Sequence, residues 1–242
     1  MNTIKFENKG NIKMIAHRGV SGLERENTCM AFVAAGNRSY WGIETDVHVT
    51  ADGELIVFHD DTTTRCTTER TALTIEQTDF STLRELELSE WKGNTPKRIL
   101  QMPTPEEYVE ICKKYEKVAV LELKNAFDKE HIYEICDQIA ALDYLDQTIF
   151  ISFCYDNMVA IREKYPEQRA QFLTSTFTDD LIDRLKAYNL DLDINYKALT
   201  ADIVKQIKAE GIFLNCWTVD DPAAAQQLIS WGVDYITTNI LE

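Results

Sequence analysis

The chain has 242 residues, and 45% of them are hydrophobic, which is typical of a folded domain with a sizeable core. Its 25 basic and 40 acidic residues give a formal net charge of −15, which opposes binding to nucleic acid or to an anionic membrane surface. We therefore expect no nucleic-acid partner and no stable membrane association.

Short β-branched segments alternate along the chain with amphipathic helical segments, the pattern of a parallel sheet. Strands are predicted at residues 13–16, 42–49, 118–124, 148–153, 170–174, 190–195, 213–218 and 234–238. Helices are predicted at residues 28–38, 105–115, 131–142, 157–165, 179–187, 201–209 and 222–230. This α/β alternation of eight strands with helices predicts a (β/α)8 TIM barrel.

One segment interrupts the alternation after the second strand. Residues 61–102 are polar, rich in Thr and Glu, and too long for an ordinary connection between a strand and a helix. We interpret this segment as a small insertion. Because the chain has no linker, repeat or low-complexity tract, residues 1–242 are expected to form a single domain.

The cysteines and the N-terminus predict the cellular compartment. The six cysteines show neither a Cys-x-x-Cys pair nor a zinc-type spacing, so we interpret them as small buried hydrophobes in a reducing environment. The N-terminus lacks the apolar segment of a signal peptide, and no later apolar run is long enough to span a bilayer. A cytoplasmic location is expected.

Two carboxylates share one face of the second predicted strand. Glu44 and Asp46 are two residues apart, so both side chains project to the same side. Like charges this close raise the pKa of one group unless a cation is shared. The pair therefore indicates a site for a divalent cation.

A hairpin follows this strand. Asp52-Gly53 is a tight-turn signal, and residues 54–58 form a predicted returning strand. If Asp52 and Gly53 are the two central turn residues, His59 lies directly opposite Asp46. A three-residue loop would shift this register by one.

Further polar residues fall near the carboxyl ends of predicted strands, where the active sites of (β/α)8 barrels lie. They are His17, Glu122 with Lys124, and Trp217. Asp193 and Asn195 share a strand face and could reach the same cavity by position alone. For His48, beside the turn, we favour a structural role, and for Asn27 a role as helix cap or as a brace for His17.

Short motifs follow one another along the chain: His17-Arg18-Gly19, Glu26-Asn27-Thr28, Ala31-Phe32, Gly42-Ile43-Glu44-Thr45-Asp46-Val47, Thr50 with Asp52-Gly53, His59-Asp60, Leu121-Glu122-Leu123-Lys124 and Cys216-Trp217-Thr218-Val219. In residues and order, the sequence resembles the glycerophosphodiester phosphodiesterase family over nearly its whole length. It departs from the family at Arg25, where Pro usually precedes Glu-Asn-Thr.

The resemblance implies metal-dependent hydrolysis of a small-molecule glycerophosphodiester to glycerol 3-phosphate and an alcohol. It implies that Glu44, Asp46 and Glu122 bind one divalent cation, Mg²⁺ or Ca²⁺. Free imidazole titrates near neutral pH, so His17 and His59 are the predicted catalytic acid and base, in an order that the sequence leaves open. The nucleophile, water or the glycerol 2-hydroxyl, is equally open.

Three residues are predicted to bind the substrate. Arg18 can hold the phosphate through its planar fork of donors, and Lys124 can add a point charge, although Lys124 could instead pair with Glu122. Trp217 either packs in the core or forms an apolar wall for the glycerol or the leaving group.

Two other functions are compatible with the same sequence. A lysophospholipase D or sphingomyelinase D-like enzyme would need an exposed apolar patch beside the site for acyl chains. A noncatalytic barrel that binds phosphorylated ligands would be favoured if one of the expected histidines or carboxylates were missing. All of these groups are present in this chain.

Overall fold

The computed structural model describes residues 2–6, 9–67, 72–90 and 100–242. The strands within these ranges are β1 (Lys13–Ala16), β2 (Gly42–Val49), β3 (Leu55–Val57), β4 (Val118–Leu123), β5 (Thr148–Ser152), β6 (Ala170–Thr174), β7 (Asp191–Asn195), β8 (Leu214–Trp217) and β9 (Tyr235–Thr238). The α-helices are α1 (Cys29–Gly36), α2 (Phe80–Arg84), α3 (Pro105–Lys114), α4 (Lys129–Ala141), α5 (Tyr155–Lys164), α6 (Leu181–Ala187), α7 (Ala201–Ala209) and α8 (Pro222–Trp231).

Eight of the strands close into a parallel barrel. Their order is β1-β9-β8-β7-β6-β5-β4-β2, and β2 pairs again with β1. The remaining strand, β3, runs antiparallel to β2 outside this ring. The predicted (β/α)8 barrel is therefore confirmed.

Helices cover the outer surface of the barrel and fix its strands. Every residue of β4 is buried, as expected for a parallel strand that is covered on both faces. Outside it, Phe32 of α1 packs edge-to-face on Tyr108 of α3, with the ring centroids 5.0 Å apart. The Tyr108 hydroxyl donates to the backbone oxygen of Ile43 at 2.6 Å, so this helix layer is bonded directly to β2. Burial of each such ring contributes roughly 1.5–3 kcal/mol.

The hairpin between β2 and β3 has a three-residue loop. Thr50 N donates to Glu54 O at 2.8 Å, and Gly53 has φ = +85°, a conformation that closes loops of this length. The register pairs Val47 with Val57, so the residue opposite Asp46 is Phe58. The prediction that His59 lies directly opposite Asp46 is wrong by one residue.

The insertion has a hydrophobic cluster of its own. Residues 68–71 and 91–99 of the predicted insertion lie outside the described residues. The described part contains two 3-10 turns, Thr63–Arg65 and Ile75–Gln77, and α2. The cluster joins side chains of this segment to the hairpin: Ile56, Phe58, Cys66, Ile75, Leu83, Leu88, Leu100 and Met102. The packing unit thus begins at β3, earlier than the predicted insertion, and the single-domain organisation stays a prediction.

Two observations concern the predicted compartment. No helix in the described ranges combines the length and the hydrophobicity needed to cross a bilayer. Four of the six free cysteines are buried and the other two are partly buried. The cytoplasmic location stays a prediction.

Candidate active site

The predicted site residues converge on one cavity at the carboxyl end of the barrel. Seven of the eight line it: His17, Arg18, Glu44, His59, Glu122, Lys124 and Trp217. The eighth, Asp46, is buried against Arg18 and Lys124. Phe153 and Asp193 also line the cavity, whereas Asn195 accepts from Lys197 N in the turn after β7.

Three buried carboxylates form an acidic triad, defined here as Glu44, Asp46 and Glu122. Each contributes one oxygen to a set in which all the atoms lie within 4.8 Å of one another. Alternation along β2 places Glu44 and Asp46 on one face, and the parallel register of β2 and β4 pairs Asp46 with Glu122. The strand pattern and the barrel topology together build the triad.

Burial, mutual repulsion and neighbouring cations shift the pKa values of the three carboxyl groups of the triad. Burial, reinforced by the charge of Asp46, raises the pKa of Glu44 well above its usual range and that of Glu122 to about 7. Burial also opposes ionisation of Asp46, but Arg18 and Lys124 hold the pKa of its carboxyl below the usual range. An added positive charge at the centre of the triad would lower the pKa values of Glu44 and Glu122.

The triad fits a divalent cation. Asp46 Oδ1 is buried and accepts no hydrogen bond from any described residue, and Lys124 Nζ lies 3.4 Å away. Carboxylate oxygens are the ligands that Mg²⁺ and Ca²⁺ prefer. Glu44, Asp46 and Glu122 are therefore the residues that could hold such an ion.

A left-handed turn after β1 directs Arg18 into the site. Arg18 has φ = +52° and Gly19 has φ = +76°, and a Cβ at Gly19 would lie 2.6 Å from the backbone of α1. Arg18 N donates to Glu44 Oε2 at 2.8 Å. The guanidinium lies 3.3 Å from Asp46 through Nε and donates to Glu26 at 2.8 Å through Nη1.

Asn27 fixes the orientation of Asp46. Its Nδ2 donates to Asp46 Oδ2 at 2.7 Å, and its Oδ1 accepts from Thr45 Oγ1 at 2.9 Å. The cap of α1 is Thr28, which accepts from Ala31 N. Both predicted roles of Asn27, as helix cap and as a brace for His17, are wrong, because its side chain bonds to β2 instead.

His17 is held through Asn239 and Asp220, two residues that the sequence analysis missed. Asn239 Nδ2 donates to Asp220 Oδ2 at 2.6 Å, so Asn239 Oδ1 faces His17 and accepts from Nδ1 at 2.7 Å. His17 Nε2, 4.0 Å from Glu44 Oε2, is then the proton-accepting atom. Burial and the neighbouring Arg18 lower the pKa of His17 to about 4, which keeps its ring neutral at neutral pH.

His59 has a charged partner instead of an amide. Its Nδ1 donates to Asp60 Oδ1 at 2.6 Å. His48, fully buried beneath, donates from Nε2 to the backbone oxygen of His59 at 3.3 Å, while its Nδ1 lies 3.1 Å from Glu76 Oε1. His48 has the structural position that was expected of it.

Lys124 lies at the edge of the triad. Its Nζ donates to Glu122 Oε1 at 2.8 Å, which is the ion pair left open by the sequence analysis. Burial disfavours its charge, but Asp46 and Glu122 raise the pKa of Lys124 above its ordinary value. Lys124 is therefore charged and lines the cavity together with Arg18.

An aromatic corner, defined as Phe153 and Trp217, forms part of the cavity wall. The two rings pack edge-to-face with centroids 5.7 Å apart, and Phe153 is 44% exposed. Ile151 and Leu173 extend the apolar wall. Sequence reasoning missed Phe153, although its position immediately after β5 is one where barrel enzymes place functional side chains.

Comparisons with known proteins identify one family and several relatives of this chain. The sequence profile of the Glycerophosphoryl diester phosphodiesterase family matches residues 17–242. A glycerophosphodiester phosphodiesterase of Bacillus subtilis is 28% identical, over 94% of this chain and 83% of its own. An Oleispira antarctica phosphodiesterase, solved in complex with the product sn-glycerol-3-phosphate, is 28% identical with a TM-score of 0.81 over 94% of this chain and 92% of its own. A glycerophosphodiester phosphodiesterase of Parabacteroides distasonis is 29% identical with a TM-score of 0.79 over 95% and 93%.

Proposed function

The chain belongs to the glycerophosphoryl diester phosphodiesterase family, and from that premise we propose a metal-dependent hydrolysis of glycerophosphodiesters to glycerol 3-phosphate and an alcohol. The observation that carries this proposal is one cavity lined by two imidazoles and by Glu44 and Glu122 of the acidic triad. The product complex of the Oleispira antarctica relative supports the same substrate class.

The triad and the two cations bind the phosphate in this proposal. A divalent cation held by Glu44, Asp46 and Glu122 would supply positive charge for a non-bridging phosphate oxygen. The guanidinium of Arg18 and the ammonium of Lys124 line the same cavity and add donors for the other oxygens. These local cations attract an anionic substrate to a protein whose net charge is −15.

The partners of the two histidines support one order of proton transfer. His17, neutral and free at Nε2, accepts the proton of the nucleophile, whether that is water or the glycerol 2-hydroxyl. His59, whose Nδ1 is hydrogen-bonded to the Asp60 carboxylate, supplies a proton to the departing alkoxide. The proposed order rests on the different partners of the two rings, an amide oxygen for His17 and a carboxylate for His59.

Leaving groups of different basicity test this order. We compare glycerophosphocholine with the p-nitrophenyl ester of glycerol 3-phosphate, whose nitrophenolate leaves without protonation. His59→Ala should abolish turnover of the choline ester and keep much of the activity towards the nitrophenyl ester, whereas His17→Ala should lose both. Equal losses of both esters in the two variants, or near-normal turnover of the choline ester by either, would contradict the assignment.

A second candidate function, cleavage of lysophospholipids, is favoured by the aromatic corner. Phe153 exposes 44% of its surface beside the cavity, and an acyl chain could bury that surface. Lysophosphatidylcholine therefore belongs in the substrate panel with glycerophosphocholine and glycerophosphoethanolamine.

The same panel tests the function as a whole. Each substrate is assayed with chelator, Mg²⁺ or Ca²⁺. The release of glycerol 3-phosphate is measured for the two glycerophosphodiesters, and the release of choline with lysophosphatidic acid is measured for lysophosphatidylcholine. We expect release that a chelator abolishes. Tight binding of the diesters without any cleavage under either ion would favour the noncatalytic barrel.

A further inference from the structure

Arg65 connects two loops that carry site residues. It ends the first 3-10 turn of the insertion, and its guanidinium contacts the loop after β1 and the loop after β3 at the same time. We propose that Arg65 is a positioning residue for the reaction, one that holds both His59 and Arg18 in place through their acidic partners. This role rests on the proposed function.

The first set of contacts of Arg65 connects it to His59 through Asp60. Arg65 Nε donates to Asp60 Oδ2 at 2.7 Å, and Nη2 donates to Asp60 Oδ1 at 2.9 Å. The same Oδ1 accepts from His59 Nδ1 at 2.6 Å. Because both carboxylate oxygens are engaged, the plane of the Asp60 carboxylate is fixed, and this plane sets the direction of the His59 ring.

The second set of contacts of Arg65 connects it to Arg18 through Glu26. Arg65 Nη1 and Nη2 donate to the two oxygens of Glu26, each at 2.7 Å. Glu26 Oε1 also accepts from Arg18 Nη1 at 2.8 Å. Glu26 therefore accepts hydrogen bonds from both Arg65 and Arg18, and its negative charge is divided between the two guanidinium groups. Arg18 is bound less strongly by Glu26 than it would be alone, and its other N–H groups remain as donors for a phosphate.

The positive charge of Arg65 balances the negative charges of two carboxylates, Glu26 and Asp60. Without Arg65, Glu26 and Asp60 would face the same space as two carboxylates with no shared cation. Glu26 would then attract Arg18 more strongly, and Asp60 would be free to rotate away from His59. The side chain of Arg65 is 46% exposed, so we expect the protein to stay folded when Arg65 is replaced, and kinetics can then report its effect on geometry.

A second arginine of the insertion provides a matched control for the contacts of Arg65. Arg84, on α2 of the same insertion, forms a comparable fork with Glu107 at 2.8 and 3.0 Å and bonds to Met102 O. Neither Arg84 nor Glu107 lines the active-site cavity. Arg84→Ala thus removes a bidentate arginine from the insertion without touching the site.

The experiment measures kcat and KM of the wild type, Arg65→Ala, Arg65→Lys and Arg84→Ala with glycerophosphocholine and the p-nitrophenyl ester of glycerol 3-phosphate. For Arg65→Ala we expect kcat on the choline ester to fall by roughly 10- to 100-fold, because displacement of a catalytic group by about 1 Å has this effect. The kcat on the nitrophenyl ester, which needs no acid, should fall by less than about threefold. KM should rise for both esters, since both need Arg18.

Lysine keeps the positive charge of arginine but not its two parallel N–H donors, so Arg65→Lys should recover part of the kcat that Arg65→Ala loses. Arg84→Ala should match the wild type. Thermal unfolding of all four proteins checks that they fold. Kinetics of Arg65→Ala equal to those of Arg84→Ala, or equal kcat losses on both esters, would overturn the role of Arg65 in an active enzyme. A wild type that cleaves neither ester under Mg²⁺ or Ca²⁺ would overturn the proposed function, and the role of Arg65 with it.

Discussion

Asn239 Oδ1 lies 2.7 Å from His17 Nδ1, and this contact turns Nε2 of the histidine towards the triad. The amide itself is oriented by Asp220, which accepts from both its side-chain and its backbone nitrogen. Burial and the charge of Arg18 lower the pKa of His17 to about 4 and outweigh the Asn239 hydrogen bond, which acts to raise it. The contact with Asn239 therefore orients the ring, while burial and Arg18 favour its neutral form.

Loss of this contact should lower kcat more than it raises KM. In Asn239→Ala the His17 ring is free to rotate, and we expect kcat to fall by roughly 10- to 100-fold with both the choline and the nitrophenyl ester. Steady-state kinetics provide the measurement. Asn37→Ala, at the exposed end of α1, is the control and should match the wild type. An unchanged kcat in Asn239→Ala would show that His17 needs no such partner.

Glu26 should make folding stability depend on acid pH. Burial opposes its ionisation, but Arg65 and Arg18 lower its pKa from 4.5 to about 2. A depressed carboxyl contributes its stability above pH 4.5, and this contribution is lost as the pH falls towards 2. After discounting for partial exposure, we expect about 2 kcal/mol of the free energy of unfolding to depend on Glu26 in this window.

Urea unfolding at pH 7 and pH 3 measures this dependence. Glu26→Gln should be destabilised relative to the wild type at pH 7 and should lose less stability on acidification. Glu110→Gln, an exposed position on α3, should follow the wild-type curve. Parallel curves for Glu26→Gln and the wild type would contradict the prediction.

The triad should couple cation binding to thermal stability. A cation at about 100 times its dissociation constant adds about 2.7 kcal/mol to the folded state, or roughly 5–10 °C in Tm for a domain of this size. We expect the wild type to gain this stability with Mg²⁺ or Ca²⁺, as measured by differential scanning calorimetry, and Glu122→Gln to lose most of the gain. Asp193→Asn changes an acid of the same cavity outside the triad and should keep it. An equal gain in all three proteins would place the ion elsewhere.

The aromatic corner should affect substrates with long apolar groups. Phe153→Ala removes exposed ring surface beside the cavity, so KM for lysophosphatidylcholine should rise several-fold, while KM for glycerophosphoethanolamine should change little. Phe213→Ala is a matched control, because Phe213 is 50% exposed and lies before β8, away from the cavity. Equal effects of the two substitutions would exclude an acyl site at Phe153.

Local patterns predicted the barrel and the convergence of Glu44, Asp46 and Glu122 on one rim, whereas the family resemblance implied that these three residues bind one cation. Alternation placed Glu44 and Asp46 on one face, and the position of Glu122 near a strand end brought it to the same rim. The hairpin register was harder, because the choice between a two- and a three-residue loop depends on where the positive φ falls, and here it falls at Gly53 alone within the loop.

Partners from distant parts of the chain could not be predicted. Asn239 follows the last barrel strand and reaches His17 near the first, a contact that exists only once the barrel has closed. Arg65 lies in a polar segment with no strand or helix period, so no pattern marked it. Asp193 and Asn195 had the same parity, yet only Asp193 faces the cavity, because Asn195 lies where the strand turns into a 3-10 helix.

Because the insertion shares a hydrophobic cluster with β3, the two histidines of the site are supported by different parts of the structure. His17 is mounted on the barrel itself, whereas His59 follows a hairpin whose outer side is packed by residues such as Ile75 and Leu83. With the proposed roles of the two histidines, a chain without the insertion would keep its proton acceptor and lose the support of its proton donor. We would expect such a barrel to cleave only esters of strongly acidic alcohols, so the insertion would extend the proposed chemistry to ordinary ones.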